Sequence, residues 1–321
     1  MDSLTRKVVQ EIGESRITLK EEIETGLNKL YRVEFEGEDS VLKIHTEKKS
    51  DQDFFHNYEG LMIEKIIKNS QVNVPEVHLV SRSADPSYMV TSYVPGKTGE
   101  ELQRLEISEL ERLIENFGTE LRKLHDSVEF ETFGYLKKQD CEMTIWRNFD
   151  SWRELFCEHL KIDLEDLEGT VFEDSIIVAE EILRDENSAL NSDFQPVAIH
   201  DDNRFDNLIW DGEKLHVLDW ATGFNGTADF DITKAEFLMI DHNLRNRAEE
   251  EQQIFRDALY RGYGEDLRQN RELWRLNMMA HTIWTMKGFE KWSPTYEEAE
   301  RNEVKENLRT KLRNIRDQSS S

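Results

Sequence analysis

The sequence predicts an α+β chain of two lobes, a small antiparallel-sheet lobe with one helix followed by a larger, mainly helical lobe. Three observations carry that expectation. Residues 1–94 alternate short apolar runs with turn formers, residues 95–321 are mostly helical in pattern, and no Gly- or Ser-rich linker divides the chain. Gly and Pro number only 15 and 5 in 321 residues, which favours one compact unit over separate beads.

Each element has its own signal. Tyr31 to Phe35 and Val41 to Ile44, flanked by turn formers including Gly37, read as an antiparallel strand pair. Asp53 to Lys68 sets Phe54, Phe55, Tyr58, Leu61, Met62, Ile66 and Ile67 near helical spacing. Glu76 to Ser81 and Tyr88 to Val94 are two further strands, closed by Pro95-Gly96. Ile107 to His125 and Asp174 to Leu183 are amphipathic helices, and helical patterning runs from about Thr233 to Arg316. Set inside this helical half is Val197 to Phe224, which reads as strand, loop, hairpin and loop. An irregular segment held by a regular scaffold is the place to look for chemistry.

Composition narrows the function classes. Asp and Glu total 67 against 41 Lys and Arg, a formal net charge of −26, and such a surface repels nucleic acid. The acidity fits either recruitment of a cationic substrate or adaptation of the whole surface to a salty interior. Carboxylates spread along the entire chain favour the second. No apolar run approaches the roughly 18–20 residues that span a bilayer. The opening MDSLTRKVVQEIGESRITLK has no apolar h-region, so no signal peptide and no membrane partner is expected. Cys141 and Cys157 form no CxxC, which suits a reduced cytoplasmic location. His125, His200 and His242 lack metal-ligand spacing.

The chemistry concentrates in AIHDDNRFDNLIWDGEKLHVLDW, residues 198–220. His200-x-Asp202-x-x-x-x-Asn207 is followed by Leu208-Ile209-Trp210, the turn pair Asp211-Gly212, Leu215 to Leu218, and Asp219. A D-G pair between apolar runs predicts a hairpin, which brings Asn207 and Asp219 together at its open end. One amide and one carboxylate then face a point suited to Mg²⁺, which takes few protein ligands alongside phosphates and water. Asp202, on the same loop, is placed to orient a hydroxyl and accept its proton. His200 is expected to brace the loop.

This segment resembles the catalytic loop of the aminoglycoside phosphotransferase and choline kinase family, relatives of the protein kinases. The resemblance implies a two-lobed protein-kinase-like fold, with a nucleotide-binding lobe over 1–94 and a catalytic and substrate lobe over 95–321. It puts Asp202 on the catalytic base and Asn207 and Asp219 on the metal ligands. Gly226 to Ile232 resembles the family's later motif, with Asp231 on its structural acid. Lys43 resembles the strand lysine that holds the nucleotide phosphates, and Glu59 its ion-pair partner. Gly26 falls where the phosphate-covering loop lies, and Tyr88 to Gly96 on the adenine hinge, with the backbone of Ser92 and Val94 toward the base. Leu121 to His125 matches the helix ending before the catalytic loop. ATP and Mg²⁺ are the implied cofactors, and the partner is a small-molecule hydroxyl acceptor such as a sugar, amino alcohol, homoserine-like compound or aminoglycoside.

The chain departs from the family at three places. Asp201 stands where Gly is usual, with its side chain expected away from the phosphate. Asn203-Arg204-Phe205-Asp206 fills the loop middle, with Arg204 placed to face transferring charge. Gly26 is alone in the phosphate-covering loop. Trp220-Ala221 after Asp219, and the lack of Ala-Pro-Glu, argue against a protein kinase. An inactive nucleotide-binding module is the other alternative. Trp274, Trp284 and Trp292 are read as core packing before a cage for an ammonium group.

Overall fold

The computed structural model describes residues 1–23, 28–45, 59–81, 87–139 and 142–318. Helix α1 (Ser3–Ile12) opens the chain, with the Asp2 side chain accepting the N–H of Leu4 at 2.9 Å and of Thr5 at 3.2 Å. Strands β1 (Ile17–Ile23), β2 (Lys29–Phe35) and β3 (Glu38–Ile44) follow, then α2 (Glu59–Asn69), β4 (Val77–Val80) and β5 (Tyr88–Ser92). They form one antiparallel sheet in the order β1-β2-β3-β5-β4. Alternation in β2 buries Tyr31, Val33 and Phe35, and α1 sets Val8, Val9 and Ile12 in the same core. The sequence reading gave this lobe one helix. A second, α1, exists because its amphipathic turns have a capped start and an apolar sheet face to cover. The helix expected over 53–68 is seen from Glu59, residues 51–58 lying outside those described.

The larger lobe begins with the short α3 (Glu100–Gln103) and the 21-residue α4 (Ile107–Ser127), whose Leu110, Leu113, Ile114, Phe117, Leu121 and Leu124 form the buried stripe. A hairpin, β6 (Phe133–Gln139) and β7 (Glu142–Phe149), precedes helices α5 (Trp152–Glu165) and α6 (Ser175–Glu186). The sequence reading missed this hairpin. β7 is mostly half-buried or exposed without a clean alternation, so its period-2 signal is weak. Gly134, at φ +151°, lets β6 approach so closely that a Cβ there would collide with the Arg147 carbonyl.

Next come β8 (Val197–Ile199), the hairpin β9 (Leu208–Trp210) and β10 (Leu215–Val217), and β11 (Phe224–Gly226). β11 pairs with both β8 and β6, giving a sheet ordered β7-β6-β11-β8. The expected D-G turn is present. Asp211 Oδ1 accepts the N–H of Glu213 (2.8 Å) and Lys214 (2.7 Å), Gly212 takes φ +104°, and Leu208 pairs with Val217. Helix α7 (Ala228–Ala235) runs into a π-helical turn (Glu236–Asn243), followed by α8 (Glu249–Tyr263), α9 (Arg271–Trp292) and α10 (Glu298–Asp317). α8 lies tightly on α4 because Gly118 and Gly262 present no side chain. A Cβ on Gly262 would strike the Glu115 carbonyl, and one on Gly118 the Leu259 carbonyl. Among the described residues, no helix is long and apolar enough to cross a membrane.

Candidate active site

The catalytic-loop candidates are held from beneath by a fully buried carboxylate. Asp231, on α7, accepts the backbone N–H of His200 (2.9 Å) and Asp201 (3.1 Å), the Asn203 amide (2.7 Å) and His125 Nε2–H (3.1 Å). Burial alone would push this carboxyl up. The His125 hydrogen bond and the backbone donors outweigh it and hold the group at about 2. His200 braces the other side. Its Nε2–H donates to the Leu218 carbonyl at 2.7 Å, its Nδ1 accepts the Asp202 N–H at 3.2 Å, and its ring meets buried Trp220 edge-on at 4.6 Å.

On that support, Asp202 Oδ2 accepts Arg204 Nη2–H and Asn207 Nδ2–H, both at 2.8 Å. Asp202 Oδ1 is buried, and among the described residues nothing donates to it. Burial disfavours the Arg204 charge, but Asp202 holds its pKa above the ordinary arginine value. Asn207 also donates to the Asp202 carbonyl (2.7 Å), so its amide nitrogen is fully engaged and its oxygen is the atom left for a cation. The Asn207 carbonyl accepts the Leu218 N–H at 2.8 Å, closing the hairpin so that Asp219 follows directly. Asp219 takes a left-handed backbone (φ +56°), as does Asp201 (φ +64°).

The two lobes meet at Lys43. Its ammonium lies 2.7 Å from Glu59 Oε2 and 2.9 Å from Asp219 Oδ1. Burial would neutralise this lysine, yet Glu59 and Asp219 keep it charged above the usual range. Burial raises Glu59 to about 7 against the pull of Lys43, whereas Asp219, also opposed by burial, is drawn below its ordinary value by Lys43. The Asp219 side chain keeps 39% exposure, leaving its other oxygen open.

Other candidates are placed less fully. Gly26 lies outside the described residues. Ser92 spends its N–H on the Glu76 carbonyl (2.8 Å), and among the described residues the Val94 N–H has no partner. Trp274 and Trp284 are partly buried against the large-lobe core, as the packing reading expected, while the Trp292 side chain is not among those described. Sequence reasoning missed Lys234. Its ammonium, 1% exposed, grips Asp201 Oδ1 at 2.6 Å, and burial raises Asp201 to about 7 against that pull. The signal was available, since a carboxylate in place of glycine needs a cation, and Lys234 is the only one in the apolar run Ile232 to Ile240.

A small antiparallel lobe whose buried Lys–Glu pair reaches an aspartate of a helical lobe, beside a braced Asp-x-x-x-x-Asn loop, is the build of a kinase-like phosphotransferase. The chain belongs to the phosphotransferase enzyme family, whose model matches residues 22–274, and it is a small-molecule kinase. Solved structures share the fold. A thermostable variant of aminoglycoside phosphotransferase APH(4)-Ia, in complex with AMP-PNP and hygromycin B, is similar at TM-score 0.68 and 13% identity, covering 97% of this chain and 98% of that one. A protein assigned as fructosamine-3-kinase from Thermobifida fusca is similar at TM-score 0.64 and 18% identity (95% and 98% covered). ADP-bound aminoglycoside phosphotransferase APH(2'')-Ib is similar at 0.60 and 16% (97% and 97% covered). No curated protein matches the chain by sequence.

Proposed function

We propose that this chain transfers the γ-phosphoryl group of ATP, with Mg²⁺, to a hydroxyl of a small-molecule acceptor. The observation that carries the reading is Asp202. One of its oxygens is fixed by Arg204 and Asn207, and the other is buried with no partner among the described residues. Such an oxygen is ready to take a hydroxyl proton as the acceptor oxygen bonds to phosphorus. The bond from phosphorus to the bridging oxygen of ADP breaks in the same displacement, and ADP leaves.

The lobe over 1–94 is the nucleotide side of this reading and 95–321 the catalytic side. Lys43, oriented by Glu59, steadies the nucleotide phosphates, with Gly26 in the covering loop and the Ser92 carbonyl and Val94 N–H toward the base. Arg204 lies beside Asp202, where it steadies charge on the transferring group. Asn207 Oδ1 and the open oxygen of Asp219 are the donors that would hold Mg²⁺, a hard-oxygen set of the right type. When bound, the cation neutralises phosphate charge. The neighbouring kinases described as bound to ADP or AMP-PNP support nucleotide use. The acid excess disfavours nucleic acid as a partner, and the cysteine usage keeps the cytoplasm as the expected compartment.

The test is ADP release from Mg-ATP across a panel of sugars, amino alcohols and aminoglycosides. Acceptor-dependent release, abolished in Asp202→Ala with ATP affinity retained, is expected. Near-normal turnover in Asp202→Ala would remove Asp202 from this role.

A further inference from the structure

Between α5, α7 and α9 lies a cavity of about 10 Å³, room for one water-sized group. Lys234 lines it and grips Asp201, the residue before Asp202, so its floor is tied directly to the proposed catalytic loop. Two polar atoms of its lining residues are buried and, among the described residues, without a partner: Trp152 Nε1–H and His281 Nδ1. Trp152 is 2% exposed and His281 1%. Thr233 gives its proton to the Asp229 carbonyl (2.7 Å), so His281 Nε2 is the ring's N–H. It donates to the Phe230 carbonyl (3.1 Å) and Thr233 Oγ1 (3.2 Å). His281 Nδ1 is therefore a lone pair, and burial holds the imidazole well below its usual pKa, so it stays an acceptor.

An unused N–H and an unused lone pair on residues that line one cavity select a chemistry. A hydroxyl accepts from an indole and donates to an imidazole; an ammonium only donates and a carboxylate only accepts. The charges agree. Asp163, the carboxylate that lines the cavity, is paired with Lys287 at 2.7 Å, and Lys234, its lining cation, with Asp201 at 2.6 Å. An entering ammonium would find no free counter-charge. The aromatic face that would cage it is also taken, since Lys234 Nζ stands 4.0 Å from the Trp284 ring centre.

We propose that this cavity is a hydroxyl-reading subsite of the acceptor pocket, and that the acceptor is a neutral polyhydroxyl compound rather than an amine; this rests on the phosphotransfer reading above. A bound water shares the chemistry, and the experiment separates the two. In the full-length chain, 3-benzothienylalanine incorporated in place of Trp152 keeps the bicyclic ring, which packs 2% exposed in the core, and removes only the N–H that has no partner among the described residues. If an acceptor hydroxyl uses it, KM for the neutral polyol rises about tenfold, the worth of one hydrogen bond, while ATP affinity and the melting midpoint hold or the midpoint rises. If only a water sits there, KM for the polyol is unchanged and the midpoint holds or falls as that hydrogen bond is lost, and the proposal falls.

Glucose, mannose and sorbitol are the neutral probes, with choline and ethanolamine as cationic controls. Turnover is read as ADP release, and binding as tryptophan emission with Mg-ATP present. Efficient turnover of the amines in preference to the polyols overturns the proposal, as does the lack of any emission change with all three polyols. Neither result touches phosphotransfer itself, which Asp202→Ala tests separately.

Discussion

Replacing Asp231 with Asn changes one atom and should disable the loop above it. The carboxylate accepts four hydrogen bonds, from His200 N, Asp201 N, Asn203 Nδ2 and His125 Nε2. An amide has one acceptor oxygen, and its NH₂ would face donors where the second oxygen was. Leaving buried donors unpaired beside a lost charge places the cost at about 3–5 kcal/mol. Linkage gives an independent handle. The Asp231 carboxyl is held at about 2 against an ordinary 3.8, which corresponds to about 2 kcal/mol of stability. Because the folded value is the lower one, that stability is present above about pH 4 and is lost as pH falls toward 2. Urea denaturation from pH 7 to pH 2 should show this acid-limb loss in the wild type and lack it in the variant. Turnover should drop even where the variant remains folded. A stability within 1 kcal/mol of wild type at pH 7, or an unchanged acid limb, would refute the assignment of Asp231 as the loop's anchor.

Further expectations follow from the same geometry. Lys43→Met should lower kcat/KM for ATP by about a hundredfold, a typical cost for one preorganised charge. It also leaves Glu59, already raised to about 7, without its cation. A carboxyl whose folded pKa lies above its unfolded value loses stability as pH rises, so the variant should weaken between about pH 5 and 8 in denaturant titrations. Gly262→Ala should cost about 1–3 kcal/mol by pushing α8 off the Glu115 carbonyl of α4, read as a lower urea midpoint with ATP affinity retained. Raising KCl from 0.1 to 1 M should raise the melting midpoint by screening self-repulsion, and an unchanged midpoint would remove surface charge as a determinant of stability.

What the sequence made legible, and what it hid, divides along physical lines. Local signals survived folding: the D-G hairpin, the Leu110 to Leu124 stripe, and the strand pairs of the small lobe are periodicities and turns that a chain states by itself. Lys43, Glu59 and Asp219 were named from one segment each, and the structure brings them together across 176 positions of chain. The hairpin β6–β7 stayed hidden because its pairing depends on Gly134 and on a neighbouring sheet rather than on alternation. Trp152 and His281 were invisible for another reason. Each looks like a core or surface residue until helices distant in sequence enclose one cavity, and an unpartnered nitrogen has no sequence signature.

The net charge of −26 and the charge-balanced cavity belong to different parts of the molecule. Every buried carboxylate among the described residues has its own partners. Glu59 has Lys43, Glu120 has Lys123, Asp163 has Lys287, Glu186 has Arg275, Asp201 has Lys234, Asp202 has Arg204, Glu236 has Arg256, and Asp231 has His125 with two backbone N–H groups. The excess negative charge of the described chain therefore sits on side chains that reach water. Interactions between such charges fade beyond roughly 8–10 Å at ordinary salt. They shape solubility and the approach of ions, while the proposed acceptor cavity is lined by one carboxylate, Asp163, already paired with Lys287. Net acidity alone is thus a poor guide to the acceptor's charge, and the proposal rests instead on the Trp152 and His281 nitrogens, which have no partner among the described residues.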